Sequence, residues 1–132
     1  MGTFRTLEEA QEHFMADRFA TVNGMHIDEL GEDSCVCSMT LTENHRNAYG
    51  GVMGGVTFTL ADFAFAVTSN QIHSLSVAQQ VSINYLSAPK GEHLTARSQC
   101  IKNGKSTSVI NVMVSDDAGR QIAQFVGTAF KL

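Results

Sequence analysis

Residues 54–67 read GGVTFTLADFAFAV, a stretch that is apolar on every side and carries one ionisable side chain, Asp62. A run without a polar face is typical of a buried helix. An unpaired buried charge is costly, so the Asp62 carboxylate indicates chemistry; a hydrogen bond to neighbouring backbone is the alternative. The pair Gly54-Gly55 leaves bare N–H groups at the helix start, where the helix dipole favours negative charge. The stretch therefore predicts both the central helix and the functional site.

Length and composition limit what can surround this helix. A chain of 132 residues with 43% hydrophobic content supports one core, so we expect a single domain over residues 1–132. The net charge of -4 opposes general nucleic-acid binding, which uses a clustered basic surface. No apolar run approaches the ~20 residues that span a bilayer, and the acidic N-terminus is not typical of a secretory signal. We therefore expect neither a nucleic-acid partner nor a membrane partner.

The cysteines and histidines show no metal-binding pattern. Cys35 and Cys37 fall on one face of a predicted strand, and together with Cys100 they lack metal-ligand spacing to any histidine. Free cysteines of this kind usually behave as small buried hydrophobes. The sequence therefore predicts no metal site and a reducing compartment, with the cytoplasm as the default.

Periodicity predicts the remaining elements. An amphipathic helix begins at Thr6, with Thr6 and Glu9 as a capping box and with Phe14 and Phe19 on its apolar face. The central helix is expected to end near Asn70. A switch to period two then predicts strands, joined at one point by a tight hairpin at Asn103-Gly104. The predicted extended segments cover residues 25–30, 34–41, 75–86, 93–102, 109–114 and 121–132.

These segments predict one antiparallel sheet. The strand at residues 75–86 is expected to present four side chains on one face: Val77, Val81, Ile83 and Tyr85. Because the central helix is too apolar for a wet surface, the sheet must curl around it, which gives an α+β fold. Part of the helix and a sheet edge would stay exposed in one copy, so we expect a partner chain.

The order of these elements, with Asn47, Gly54-Gly55 and residues 60–62 (LAD), resembles the hotdog-fold thioesterases of the phenylacetate-pathway, or PaaI-like, type. Residues 83–96, INYLSAPKGEHLTA, are similar to the strand, turn and strand that follow the helix in this family. The resemblance implies an antiparallel sheet wrapped around a long apolar helix. It also implies hydrolysis of acyl-CoA thioesters by homodimers or homotetramers, without a metal or a dissociable cofactor.

The same resemblance implies roles for individual residues. Asp62 would act as general base or nucleophile, and the Gly54 N–H would polarise the thioester carbonyl. Asn47 would position the substrate or the attacking water, although a turn-forming role is an equal interpretation. The acid of one chain would face the amide of the other, so a dimer would be the smallest active unit.

The chain departs from the family pattern at two places. Met53 stands where the family usually has histidine, and its thioether donates no hydrogen bond. His45 and Tyr49 are near enough in sequence to replace it. Residues 78–80 (AQQ) stand where the family often has serine or threonine, so polar contacts there must come from Gln79 or Gln80.

Further substrate contacts are predicted around the amide and at the entrance. Gly55 continues the amide turn, Met53 contacts the acyl chain, and Lys90 is a candidate for the phosphates of coenzyme A. We expect activity that is weakened or redirected rather than absent. Two alternatives remain open: a non-catalytic acyl-CoA-binding hotdog module, and a hotdog dehydratase or hydratase, for which the motif offers no catalytic histidine.

Overall fold

The computed structural model describes residues 2–132, which form three α-helices and one six-stranded antiparallel sheet. The helices are α1 (Leu7–Phe14), α2 (Arg18–Val22) and α3 (Gly54–Ile72), and a 3₁₀ turn covers Glu43–His45. The strands are β1 (His26–Leu30), β2 (Ser34–Thr40), β3 (Ser76–Tyr85), β4 (His93–Asn103), β5 (Thr107–Asp116) and β6 (Gln121–Lys131). Their order in the sheet is β1-β2-β4-β5-β6-β3. The predicted α+β fold, with an antiparallel sheet around one long helix, is confirmed.

Helix α3 lies at the centre of the core. Leu60 and Phe65 are at most 1% exposed. Phe58 and Phe65 both pack on Phe125 of β6, with ring centroids 5.5 and 5.7 Å apart. Burial of an aromatic or aliphatic side chain contributes about 1.5–3 kcal/mol. These contacts fix the helix on the sheet, so the core sets the positions of Gly54 and Asp62.

The Asp116 carboxylate holds the β3–β4 turn. Asp116, at the end of β5, accepts the N–H groups of Lys90 (2.8 Å), Gly91 (3.0 Å), Ala118 (3.1 Å) and Arg120 (2.8 Å). These backbone bonds outweigh desolvation and lower the pKa of Asp116 to about 2. The charged carboxylate therefore ties the β3–β4 turn to the β5–β6 hairpin.

The N-terminal helix is shorter than predicted. It ends at Phe14, and after residues 15–17 the chain forms the separate helix α2. Phe19 is consequently 74% exposed, so its predicted place on the buried face was wrong. At the helix start, Thr6 Oγ1 accepts the Glu9 N–H at 3.1 Å, but the Glu9 carboxylate accepts the N–H of Arg5 rather than that of Thr6. Only half of the capping box is therefore present.

Two details of the strands also differ from the prediction. Gln79 forms a bulge in β3, because Ala78 and Gln80 pair with the adjacent residues Ala129 and Thr128 of β6. The extra residue reverses the alternation, so Val77 does not share the inner face of the strand's second half. The hairpin at residue 103 is confirmed, but its loop spans residues 104–106. Of the helices in the described chain, none is long and apolar enough to cross a membrane.

Candidate active site

The loop before α3 folds back on itself and carries Asn47. Arg46 and Val52 form an antiparallel bridge across the loop. Asn47 closes it, because its Oδ1 accepts the N–H groups of Tyr49 (2.9 Å) and Gly51 (3.1 Å). The turn-forming interpretation of Asn47 is thus observed. Its Nδ2 donates no hydrogen bond within residues 2–132, so the side-chain amide can still reach a substrate or a water.

Gly54 begins α3 with an unused backbone donor. Its N–H finds no acceptor among the residues that the structure describes. Tyr85, at the end of β3, lies against it: Tyr85 Oη donates to the Gly54 carbonyl at 3.1 Å. The ring lies 3.4 Å from where a Cβ at position 54 would be. A bare N–H at the positive end of a 19-residue helix is suited to bind a carbonyl oxygen that gains charge.

Met53 and His45 occupy different places around the helix start. Met53 is 55% exposed beside the amide. His45 is buried, and its Nδ1 accepts the Thr42 N–H at 2.9 Å, which puts the ring proton on Nε2. Its carbonyl accepts the Met53 N–H at 2.9 Å. His45 lines a separate cavity with Val22 and Thr40. His45 therefore stabilises the loop and does not supply the hydrogen bond that Met53 lacks.

Asp62 lies on the less buried strip of α3, together with three small side chains: Gly55, Thr59 and Ala66. Its carboxylate is partly buried and accepts no hydrogen bond from residues 2–132, so the alternative of a backbone-binding acid has no support. Burial, and after it the negative charge of Asp17, raises the pKa of Asp62 above its usual value. A partly desolvated carboxylate without partners is a stronger base than a surface aspartate.

A cleft of about 280 Å³ lies beside this carboxylate. Its walls come from α2 and α3, and the lining residues are Asp17, Arg18, Phe19, Ala20, Thr59, Asp62, Phe63 and Ala66. A larger cavity of about 510 Å³ lies between the N-terminal segment and the end of α3, near Phe4 and Gln71. Neither Asp62 nor Gly54 lines that cavity. Of these two cavities, only the smaller cleft is lined by a residue to which the sequence analysis assigned chemistry, Asp62.

One copy of the chain keeps the acid and the amide apart. Gly54 and Asp62 lie eight residues apart in the same helix, a distance of ~12 Å at about 1.5 Å per residue. Reacting groups must approach within roughly 3–3.5 Å. The Asp62 carboxylate and the Gly54 N–H of one copy therefore do not act on the same carbonyl.

The other predicted substrate residues lie on the sheet edge and in a turn. Gln79 is the bulged residue of β3, and Gln80 Nε2 donates to the carbonyl of Val81 at 3.2 Å. Lys90 lies in the β3–β4 turn, where Asp116 accepts its N–H. The side chains of Gln79, Gln80 and Lys90 are exposed. Within one copy they do not line the Asp62 cleft.

The sequence analysis did not assign Asp17, Arg18 or Phe19 to the cleft, nor Tyr85 to the helix start. The contact of Tyr85 with Gly54 spans 31 residues, and no local pattern signals it. Among residues 2–132, no three His, Cys, Asp or Glu side chains converge to hold a metal ion. Cys35 and Cys37 are free and buried, as predicted, with their Sγ atoms 3.8 Å apart.

Comparison with known proteins identifies the family. The model of the Thioesterase superfamily matches residues 49–123, more than half of the chain. The chain belongs to the thioesterase superfamily. A putative esterase of Archaeoglobus fulgidus is 34% identical to this thioesterase over 105 residues, which is 79% of this chain and 68% of that protein.

A further relative and two solved structures extend the match. The acyl-coenzyme A thioesterase PaaI of Escherichia coli is 29% identical over 126 residues, 95% of this chain and 90% of that protein. The structure of E. coli PaaI has a TM-score of 0.86 with 28% identity and covers 96% of each chain. A hypothetical thioesterase of Streptococcus pneumoniae, solved with coenzyme A, has a TM-score of 0.81 with 27% identity over 89% of this chain and 94% of that one. The hotdog fold and the PaaI-like family are confirmed, and thioester hydrolysis is the reaction class of this enzyme.

Proposed function

We propose that this thioesterase hydrolyses acyl-CoA at a site shared by two copies of the chain, with Asp62 of one copy opposite the Gly54 N–H of the other. The observation that carries the proposal is the partly buried Asp62 carboxylate, which has no hydrogen-bond partner within the described chain and a raised pKa. Acyl-CoA as substrate is supported by two similar proteins. One is named an acyl-coenzyme A thioesterase, and the other was solved with coenzyme A.

The two groups divide the chemistry between them. As general base, Asp62 takes a proton from a water that attacks the thioester carbonyl carbon; as nucleophile, its carboxylate attacks that carbon directly. In both routes negative charge develops on the carbonyl oxygen, and the Gly54 N–H at the helix start stabilises it. Collapse of the tetrahedral intermediate then breaks the C–S bond, and coenzyme A leaves as a thiol with the proton that Asp62 took from the water or, in the nucleophilic route, with a proton from solvent. In the nucleophilic route the acyl group stays on Asp62 as a mixed anhydride, and a water hydrolyses this anhydride to the free acid and the Asp62 carboxylate. Asn47 Nδ2 is proposed to position the water or the substrate, and Lys90 to contact a phosphate.

The need for a second copy follows from the distance within α3 and from the sheet edge. Strand β3 is the last strand of the sheet. Three of its apolar side chains, counting the next residue in the chain, are 44–56% exposed: Val77, Tyr85 and Leu86. An uncovered edge of this kind is a template for another strand. We therefore propose a homodimer as the smallest active unit, and a homotetramer as the larger assembly that two such dimers would form. The cytoplasmic location remains a prediction.

A thiol-release assay with short, long and aromatic acyl-CoA substrates tests the proposal. We expect hydrolysis by the wild type and a loss of about 10²-fold or more in Asp62→Asn, which removes a positioned acid–base group. Asp33→Asn is the matched control, because Asp33 is an exposed acid that does not line the cleft. Near-full turnover by Asp62→Asn would reject the role of Asp62.

The second candidate function is a non-catalytic acyl-CoA-binding module. Met53 favours it, because an exposed thioether beside the amide donates no hydrogen bond to the thioester. Binding of acyl-CoA measured by calorimetry, without thiol release from any substrate, would support this module over the enzyme.

A further inference from the structure

Helix α2 forms one wall of the Asp62 cleft, and the proposed reaction assigns no role to this wall. The Phe14 ring, at the end of α1, packs edge-on against Phe63 of α3, with centroids 6.0 Å apart. Ala20 of α2 is 5% exposed. Between these two anchors, Asp17 and Phe19 both line the cleft. A phenylalanine that is 74% exposed beside a reactive carboxylate offers an apolar contact surface to a bound ligand.

Two carboxylates face this cleft. Burial raises the pKa of Asp17, and the nearby His13 at the end of α1 partly opposes this increase. The negative charge of Asp17 in turn helps to raise the pKa of Asp62. Arg18 lines the same cleft. It is the one cation among the lining residues of the cleft, so the two acids outnumber it. The charged groups that face Asp62 from α1 and α2 therefore leave the cleft negative near neutral pH.

We propose that α2 forms a wall of the acyl pocket and that Asp17 restricts the substrates to acyl groups without a terminal carboxylate, with Phe19 as their apolar contact. The inference rests on the proposed function, because it requires the thioester carbonyl to lie beside Asp62 and the acyl chain to extend from that carbonyl into the cleft. A cleft of about 280 Å³ has room for a short acyl chain. An acyl group that ends in a carboxylate would place a third negative charge among two others in a partly desolvated cleft. Like-charge contacts of this kind are a common means of excluding a wrong ligand.

The test compares hexanoyl-CoA with adipoyl-CoA, which have the same chain length but end in a methyl group and a carboxylate. Near pH 8, above the ordinary range of aspartate at about 3.9, we expect wild-type kcat/KM to favour hexanoyl-CoA by about 10-fold or more. Asp17→Asn should reduce this ratio by about 5-fold or more, because it removes one repelling charge without changing the shape of the side chain. Glu12→Gln is the matched control: Glu12 is an exposed acid of α1 outside the cleft, so the ratio should stay at the wild-type value.

Two further readouts separate a charge effect from a structural one. The acid limb of the kcat/KM profile for hexanoyl-CoA should move to lower pH in Asp17→Asn, because one cause of the raised pKa of Asp62 is removed. Phe19→Ala should raise KM for hexanoyl-CoA more than it lowers kcat, because Phe19 is an exposed binding surface. A merely structural role for Asp17 would change both substrates equally and leave their ratio unchanged.

The failure of this inference can be distinguished from failure of the proposed function. Hydrolysis of hexanoyl-CoA with an unchanged ratio in Asp17→Asn would overturn the inference alone. A wild-type preference for adipoyl-CoA that Arg18→Gln abolishes would also overturn it, because Arg18 would then bind the terminal carboxylate. If no thioester is hydrolysed, the proposed function fails. The affinities of the wild type and of Asp17→Asn for the two CoA esters then decide whether the cleft still discriminates by charge.

Discussion

Replacement of Gly54 by proline would remove the proposed oxyanion donor while keeping the helix. Gly54 is the first residue of α3, a position at which proline is favoured because the N–H has no acceptor within the helix. Met53 before it has φ -63° and ψ 132°, an extended conformation that a residue preceding proline readily adopts. A Cβ at position 54 would lie 3.4 Å from the Tyr85 ring, an ordinary contact distance. The structure therefore accommodates this substitution.

The expected effects on activity and stability are opposite. Loss of one oxyanion donor costs about 10²–10³-fold in kcat, or roughly 2.7–4 kcal/mol of transition-state stabilisation. Proline at a compatible position leaves the free energy of unfolding unchanged or raises it by about 0.4–1 kcal/mol. Gly54→Ala is the control, because it adds the same Cβ and keeps the N–H. Thiol release and urea denaturation measure the two quantities. A proline variant as active as the alanine variant would refute the role of the amide.

Gly54→Pro also tests whether two copies share the site. When it is mixed with Asp62→Asn after partial denaturation and refolding, each heterodimer contains one site with an intact acid and an intact amide from different chains. Random pairing of equal amounts makes half of the dimers heterodimers, so about a quarter of wild-type activity should return. If the acid and the amide came from the same chain, the mixture would stay as inactive as its components.

Further predictions concern pH, packing and the missing histidine. Because burial raises the pKa of Asp62, charging this acid disfavours the folded state. Asp62→Asn should therefore raise the free energy of unfolding at neutral pH, and the gain should vanish below pH 3.8, the ordinary pKa of an aspartate. The pKa of Asp116 is lowered to about 2, so its stabilisation is present above about 4 and is lost as the pH falls towards 2; Asp116→Ala should lower the urea midpoint at neutral pH, but not near pH 2. Gly127→Ala would place a Cβ 2.6 Å from the Phe65 ring and should cost ~1–3 kcal/mol in urea denaturation, and a neutral result would contradict the tight packing. Met53→His should raise kcat about fivefold to tenfold if one hydrogen bond limits the native enzyme, and unchanged turnover would show that it does not.

The parts of the fold that could be predicted have strong local patterns. Residues 54–67 carry a single ionisable side chain and no polar face, so the sequence predicts a buried helix, and its start at Gly54 agrees with the structure. The strands after it follow from alternation with period two and from turn residues such as those at 103 and 104. Asp62 was proposed as the reactive acid because a charge in an apolar run is rare. Each of these signals is contained within a short segment.

The parts that were missed depend on contacts between distant segments. Residues 15–17 (MAD) contain neither glycine nor proline, so no helix-breaking residue marks the end of α1. The spacing of Phe19 also extends the apolar face of α1, so the sequence predicted that Phe19 belongs to the same helix. Helix α2 turns away because it packs across α3, beside Asp62, where Ala20 finds a buried place. In the same way, the bulge at Gln79 shows only in the pairing of β3 with β6. Local propensity cannot report any of these contacts.

The position of the acid and the amide on one rigid helix limits how two copies can pair. Suppose that a twofold axis relates two copies and brings Asp62 of one copy level with Gly54 of the other. The two α3 helices must then run antiparallel, and the axis must pass α3 halfway between Gly54 and Asp62, close to Phe58. One isologous contact of this kind creates two equivalent sites at once. The strip that faces such an axis carries Gly55 and Thr59, whose small side chains let two helix backbones approach closely. The proposed pairing would account for the small residues on this side of α3, and a bulky residue at position 59 should then separate both proposed acid–amide pairs together.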